Sequence, residues 1–152
     1  MVWGRRSCGG PERYRTRMDR LPITYRRDAP LDPAAVARVF DSSGLRRPTG
    51  DPARIARMLA NASLTLSAWD GDELVGIARS LTDFAWCCYL SDLAVARTHQ
   101  GRGIGTELLR LTREAVGTGC SLVLVSAPEA VEWYPKVGLE RLDRGFIAWR
   151  QG

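Results

Sequence analysis

Three glycines stand within five residues, Gly101, Gly103 and Gly105, where an apolar strand runs through a polar turn into a predicted helix. The first amides of a helix have no acceptor within it, and they lie at the positive end of its dipole. A helix start of this kind binds phosphate, and glycine lets the phosphate approach the main chain because it has no Cβ. We therefore predict a phosphate site built from main-chain amides, although glycine is also common wherever a strand turns into a helix.

The spacing of these glycines excludes two familiar nucleotide sites. A dinucleotide fingerprint needs G-x-G-x-x-G, but the sixth position counted from Gly101 is Thr106, and counted from Gly103 it is Leu108. A P-loop needs a lysine directly after its last glycine, and the only lysine of the chain is Lys136. The phosphate therefore belongs to another kind of cofactor.

Two segments of the chain resemble motifs of the GNAT-type N-acetyltransferases. Residues 100–105 resemble the acetyl-coenzyme A (acetyl-CoA) motif Gln/Arg-x-x-Gly-x-Gly/Ala. Residues 130–139 resemble the family segment A-x-x-F-Y-x-x-x-G-F, with Trp133 and Leu139 in place of its phenylalanines. The motifs come in the family's order, on either side of the apolar run 122–125, and the resemblance covers residues 22–150.

The resemblance implies acetyl-CoA as the co-substrate and no metal. In the family, the pantetheine arm pairs with the main chain just before the glycine turn, and the turn's amides hold the diphosphate. Here Thr106 could add its hydroxyl and Arg102 a charge-assisted contact. The cofactor-binding residues implied in this way are Leu93, Ala94, Val95, Gln100, Gly101, Arg102, Gly103, Ile104, Gly105 and Thr106.

Acetyl transfer to an amine also needs a donor for the thioester oxygen and a proton for the departing thiolate. A main-chain amide of residues 93–95 could be the donor. Tyr134 stands where the family has a tyrosine that faces the sulfur, so the resemblance implies Tyr134 as general acid. The alternative for Tyr134 is a half-buried aromatic beside Trp133.

The general base is less well defined, because Tyr89 stands where many relatives carry a glutamate. Asp92 is the nearest carboxylate, but residues an odd number apart point to opposite faces of a strand. Asp92 could therefore reach the acceptor only if the strand had a bulge. Two alternatives stay open. Asp92 could be buried and hydrogen-bonded, or a water in a relay through Ser91 or Tyr89 could serve as the base. We expect Ser91 and Tyr89 to contact the substrate. His99, the only histidine, is expected to be an exposed residue of the turn.

The elements that position these residues follow from apolar periodicity and helix capping. Asp32-Pro33 and Asp51-Pro52 each predict a helix start, and residues 70–72 predict a tight hairpin turn. Further helices are predicted after the glycine turn and at 128–136. Strands are predicted at 23–27, 64–69, 73–81, 87–95, 121–126, 139–142 and 146–150. This order gives a mixed α/β sheet with antiparallel hairpins at its start and end. The resemblance implies a GNAT-like, mostly antiparallel sheet with a splayed central strand pair and flanking helices.

The charge of the chain is concentrated at its start. Residues 1–20 hold six arginines against Glu12 and Asp19, so this basic arm carries a net +4 of the chain's +5. We expect the arm to be disordered, or to precede the true start at Met18.

Residues 21–152 are expected to form a single, nearly neutral domain, which disfavours nucleic acid as a partner. No apolar run is long enough to span a membrane, and the four cysteines lack metal or redox spacing. We therefore predict a cytoplasmic protein with reduced thiols.

The function predicted on these grounds is transfer of acetyl from acetyl-CoA to a primary amine, on a small molecule or a protein, by direct attack on the thioester. The acceptor pocket is expected between the loop 42–49, residues 83–89 and the turn 143–145. Arg46 and Arg47 favour an acceptor with a carboxylate or phosphate, unless they only solvate their loop. The alternatives are a non-catalytic acyl-CoA sensor or partner-binding module, and a nucleic-acid accessory protein that uses the basic arm. The sequence leaves open whether the protein forms a homodimer.

Overall fold

A computed structural model describes residues 22–151, so the basic arm predicted at 1–20 lies outside the described residues. Within them, a five-stranded sheet is flanked by α-helices, none of which is long and apolar enough to span a membrane. The strands are β1 (Thr24–Arg27), β2 (Leu64–Asp70), β3 (Glu73–Thr82), β4 (Cys87–Val95) and β5 (Ser121–Val123). The α-helices are α1 (Pro33–Ser43), α2 (Pro52–Ala60) and α3 (Ile104–Val116), and short 3-10 turns span Arg97–His99, Pro128–Ala130 and Tyr134–Val137.

The strands lie in the order β1-β2-β3-β4-β5, and every neighbouring pair is antiparallel except β4 and β5, which are parallel. The mixed, mostly antiparallel sheet predicted from the sequence is confirmed. The predicted helix starts are confirmed as well. Asp32 accepts from the amide of Ala34 (3.1 Å) and Asp51 from the amide of Arg54 (3.0 Å), so each carboxylate caps its helix next to a first-turn proline.

The two faces of the sheet are covered by different helices. On one face, Phe40 of α1 and Ile55 of α2 pack with Ile77 and Ala94 of the sheet. On the other face, the apolar side of α3 packs with β2, β3 and Leu90 of β4. These layers bury the large side chains of the core and fix α3, with the glycine turn that precedes it, against the sheet.

A bulge in β4 decides which layer its side chains enter. Arg79 pairs with Asp92 and Ser80 pairs with Leu90, so Ser91 is an extra residue without a partner on β3. Leu90 consequently packs on the α3 face, whereas Asp92 lies on the α1–α2 face with Ala94. The bulge that Asp92 needs to share a face with Tyr89 is therefore present.

The parallel pair β4–β5 separates soon after it forms. Only Cys87, Cys88 and Tyr89 of β4 pair with β5, and the remaining six residues of β4 have no strand beside them on that side within residues 22–151. β5 ends at Val123, not at residue 126 as predicted, because residues 124–126 have already left the ladder. The predicted splay between these two strands is thus a wedge-shaped gap, which we call the strand gap.

The strands predicted at 139–142 and 146–150 are wrong. Within the described chain this segment belongs to no strand, and its apolar side chains after Leu139 are exposed, Phe146 completely. Strand-forming residues need a partner ladder, and a lone hairpin is marginal in water. Trp86 and Trp149 are exposed as well.

The helix predicted at 128–136 is wrong as well. The chain forms two 3-10 turns, Pro128–Ala130 and Tyr134–Val137. Pro135 explains the break, because it has no N–H to donate and its ring clashes with the preceding turn of an α-helix.

Candidate active site

The glycine turn is shaped for an anion. Gly101 and Gly103 have φ angles of 73° and 78°, a region that favours glycine, and Gly103 begins α3 without any side-chain cap. Within residues 22–151, none of the amides from Gly101 to Thr106 donates a hydrogen bond of ordinary length and angle to a protein acceptor. A Cβ built at Gly101 or Gly103 would meet nothing within 4 Å. The turn is therefore a set of free amides on an open surface, as a bound diphosphate requires.

Two side chains hold the residues before the turn in place. Gln100 donates its Nε2 to the carbonyl of Val95 (2.9 Å), which ties the turn to the end of β4. His99 is buried, not exposed as expected, because its ring lies between Thr98 (2.8 Å) and the Asp70 carboxylate (2.9 Å). His99 therefore fastens the turn to the β2–β3 hairpin.

The main chain of β4 presents alternate residues to the strand gap. Ala96 donates to the carbonyl of Val75 (2.8 Å), and the antiparallel ladder continues with Ala94 opposite Ile77. Hydrogen-bonding direction alternates along such a strand, so the main chain of Ala94 faces β3 while those of Leu93 and Val95 face the gap. Of the three residues expected to pair with pantetheine, two have the orientation for it.

The first turn of α3 carries the other expected cofactor contacts. Thr106 is exposed there, and Arg102 is partly exposed in the turn itself. Glu107 would repel a phosphate, but Arg110 binds its carboxylate through two hydrogen bonds (2.8 and 2.9 Å) and holds the pKa of Glu107 below its usual value. The negative charge of Glu107, which would oppose a bound anion, is therefore compensated by Arg110.

The second motif lies against the first. The ring of Trp133 comes within 3.8 Å of a Cβ built at Gly105, and Tyr134 packs edge-on against Trp133 with ring centroids 5.0 Å apart. Tyr134 lines a groove of about 850 Å3 along β5 and the end of α3, and burial raises the pKa of its phenol. A phenol with a raised pKa stays protonated at neutral pH, as a general acid must.

Asp92 lies at the centre of a buried ion cluster. Its side chain is fully buried, and its two oxygens accept from the Nε atoms of Arg47 and Arg79. Arg47 also donates to the carbonyl of Ser91 (2.8 Å), and Arg79 to the hydroxyl of Ser91 (2.8 Å). These contacts favour the alternative in which Asp92 is buried, hydrogen-bonded and structural, because no face of its side chain is open to an incoming amine.

Above this cluster lies a pocket of about 600 Å3, which we call the arginine pocket. Tyr89 and Ser91, the residues expected to contact the substrate, both line it. The loop expected to form the acceptor site contributes residues 46–48, whereas the turn 143–145 does not contribute. The full lining is Arg46, Arg47, Pro48, Arg54, Met58, Arg79, Tyr89, Ser91 and Arg150.

Sequence reasoning missed Arg54, Arg79 and Arg150 as parts of this pocket. They come from α2, β3 and the end of the chain, so no linear motif contains them. The one available signal was the Arg46-Arg47 pair, which stands between two predicted helices.

Comparison with known proteins agrees with this geometry. The model of the acetyltransferase (GNAT) family matches residues 34–139 of the chain. The chain therefore belongs to the GNAT acetyltransferase family and is an acetyltransferase, as its two motifs implied. No curated protein matches the chain by sequence.

Solved structures share the fold at low sequence identity. A GNAT-family acetyltransferase from Streptococcus pneumoniae TIGR4 superposes with a TM-score of 0.68 at 21% identity, covering 86% of this chain and 98% of that one. The aminoglycoside N-acetyltransferase AAC(6')-Iy in complex with CoA gives 0.64 at 14% identity, with coverages of 86% and 96%. Glucosamine-6-phosphate N-acetyltransferase from Arabidopsis thaliana gives 0.63 at 11% identity, with coverages of 86% and 100%.

Proposed function

We propose that this acetyltransferase moves acetyl from acetyl-CoA to a primary amine, on a small molecule or a protein, in the cytoplasm. The observation that carries the proposal is the row of free amides from Gly101 to Thr106, placed where the strand gap ends. The amides would hold the diphosphate, and the main chains of Leu93 and Val95 would hold the pantetheine arm as an added strand would. Two of the solved neighbours are N-acetyltransferases, one for aminoglycosides and one for glucosamine-6-phosphate.

The chemistry that we propose for the chain uses these residues. Acetyl-CoA supplies the acetyl group as a thioester, which a neutral amine attacks directly. The amide of Leu93 or Val95 donates to the carbonyl oxygen as its negative charge grows. Tyr134 donates its phenolic proton to the departing sulfur. A water in a relay through Ser91 or Tyr89 accepts the proton that the amine loses. Asp92 positions Arg47 and Arg79 and does not act as the base.

The test is a panel of primary amines with acetyl-CoA, in which release of free CoA thiol is followed. We expect turnover with some amines and saturable CoA binding in the absence of any amine. Saturable binding without turnover across the panel would favour the acyl-CoA sensor instead. Absence of CoA binding would contradict both interpretations.

A further inference from the structure

The arginine pocket has an unusual charge for a cavity of about 600 Å3. Among the residues that the structure describes, five arginines line it and no carboxylate does. Two of the five, Arg47 and Arg79, are neutralised in part by Asp92 beneath them. The other three guanidinium groups have no hydrogen-bond or ion-pair partner in the described part of the chain; they belong to Arg46, Arg54 and Arg150.

Arg46, Arg54 and Arg150 are exposed, so water screens their charges, but like charges that converge on one concavity still repel each other. Arginines that only solvate a surface would be expected to spread apart or to pair with neighbouring carboxylates. Here they come from the α1–α2 loop, α2 and the end of the chain, and they face one space. Such an arrangement is typical of a site whose counter-charge arrives with a ligand, and guanidinium groups suit a carboxylate or phosphate because they bind two oxygens at once.

The pocket also borders the place where the acetyl group is expected. Tyr89 lines the pocket and is the last residue of β4 that pairs with β5, so the strand gap begins at the next residue. Met58 and Tyr89 add an apolar wall beside the charges. A molecule anchored by the arginines could therefore present an amine across β4 to a thioester held in the gap.

We propose that the arginine pocket binds an oxyanion of the acceptor, so that the enzyme acetylates amines that also carry a carboxylate or a phosphate. This inference rests on the proposed N-acetyltransferase function. It selects against polycationic amines, which the same guanidinium groups would repel.

The test compares matched amines that differ in their oxyanion. O-phosphoethanolamine is set against ethanolamine, and β-alanine against propylamine, with acetyl-CoA saturating. We expect kcat/KM to be at least about a hundredfold higher for the anionic member of at least one pair, since two charge-assisted hydrogen bonds are gained. The pair with the larger ratio identifies phosphate or carboxylate as the preferred group. Equal kcat/KM within both pairs would overturn the inference and leave the proposed function intact.

Variants with matched controls locate the effect. Arg54→Gln and Arg150→Gln should each lower kcat/KM for the preferred anionic amine about tenfold, and so reduce its ratio to that of the matched neutral amine. Arg57→Gln, one turn further along α2, and Arg144→Gln, in the same terminal segment as Arg150, keep the same charge change outside the pocket. Loss of anion preference in the control variants as much as in the pocket variants would overturn the assignment.

Direct binding separates this inference from the function on which it rests. Calorimetry of O-phosphoethanolamine and β-alanine is carried out on the protein saturated with CoA, which cannot turn over. Binding that Arg54→Gln weakens about tenfold, in a protein that acetylates nothing, would support the anion site and refute the acetyl transfer. If neither probe binds while other amines are acetylated, the anion site is refuted and the function stands.

Discussion

Gly103 and Gly44 form a natural pair for testing the glycine turn at the scale of single residues. Gly103 begins α3 at φ 78° and Gly44 ends α1 at φ 85°, and a Cβ at either would meet nothing within 4 Å. Alanine at such angles costs roughly 1–2 kcal/mol, so Gly103→Ala and Gly44→Ala should lower the free energy of unfolding by similar amounts. Only Gly103→Ala adds a methyl group where the diphosphate would lie.

We therefore expect calorimetry to show CoA affinity at least about tenfold weaker for Gly103→Ala and unchanged for Gly44→Ala, because loss of a single charge-assisted contact is enough for this factor. Equal CoA affinities for the two variants would remove the main-chain cradle from the account.

Tyr134 is the second residue whose role can be isolated. Tyr134→Phe removes the proton donor and leaves the ring packed on Trp133, so kcat should fall about a hundredfold while the Kd for CoA stays within a factor of about two. An unchanged kcat in Tyr134→Phe would contradict the role of proton donor.

The pH profile gives an independent reading of Tyr134. Burial raises the pKa of this phenol from its ordinary value of 10.0, so the acid form is present through the neutral range and is lost only above pH 10. We therefore expect that any loss of kcat of the wild-type enzyme below pH 10 is also found in Tyr134→Phe. A loss near neutral pH that depends on Tyr134 would contradict the assignment.

The sequence identified the glycine turn and the second motif, because both are local patterns whose chemistry depends on main-chain geometry. It could not resolve Asp92. Strand parity placed that side chain on the wrong face, and the correct face depends on one unpaired residue, Ser91. The partners Arg47 and Arg79 lie 45 and 13 positions away in the sequence, which no spacing rule connects.

At the scale of elements, the β4 bulge is coupled to the ion cluster around Asp92. Asp92→Ala would leave the buried guanidinium of Arg79 without its counter-charge, and breaking such a pair costs about 3–5 kcal/mol. We expect a urea titration to show this loss, and Arg79→Met added to Asp92→Ala to recover part of it. If the double variant is no more stable than Asp92→Ala, the cluster does not hold the bulge.

The loop that leads into β4 depends on another carboxylate. Asp83 accepts hydrogen bonds from the amides of Trp86, Ala85 and Cys87, which lowers its pKa to about 2 from 3.8. Because the pKa of the folded state is the lower one, this stabilisation is present above pH 3.8 and is lost as the pH falls through 2.

Asp83→Asn should therefore have a lower Tm than the wild-type protein at pH 7, and the difference should vanish near pH 2. Thermal melts followed by circular dichroism at several pH values measure it. A difference in Tm that is independent of pH would show that the charge of Asp83 does not stabilise the loop.

The sequence predicted helices whose capping residues lie at their own ends. It did not predict correctly the strands whose existence or length depends on a neighbouring strand. The Asp-Pro starts of α1 and α2 satisfy helix amides locally, so the sequence contains the whole signal. The segment 139–150 has strand-forming residues, but whether they form a strand depends on a neighbouring edge, which propensity does not describe. In the same way, the length of β5 is set by where β4 diverges from it.

At the scale of the whole molecule, the fold explains why two motifs that are distant in the sequence lie against each other. α3 packs on the sheet through Ile104 and Leu108, which brings its first turn to the end of β4. Residues 128–138 then return across α3, so that Trp133 meets Gly105. The opposite face of β4 carries the arginine pocket. The sheet thus separates the expected cofactor side from the expected acceptor side, with β4 between them.

The most direct test of this arrangement follows main-chain amides by NMR while CoA or pantetheine is added. Pantetheine lacks the diphosphate, so it should shift the amides of Leu93 and Val95 only. CoA should shift these and also the amides of residues 101–106, with the amide of Gly44 unmoved by either ligand. If CoA binds and the amides of residues 101–106 do not shift, the diphosphate lies elsewhere and the account of this site is wrong.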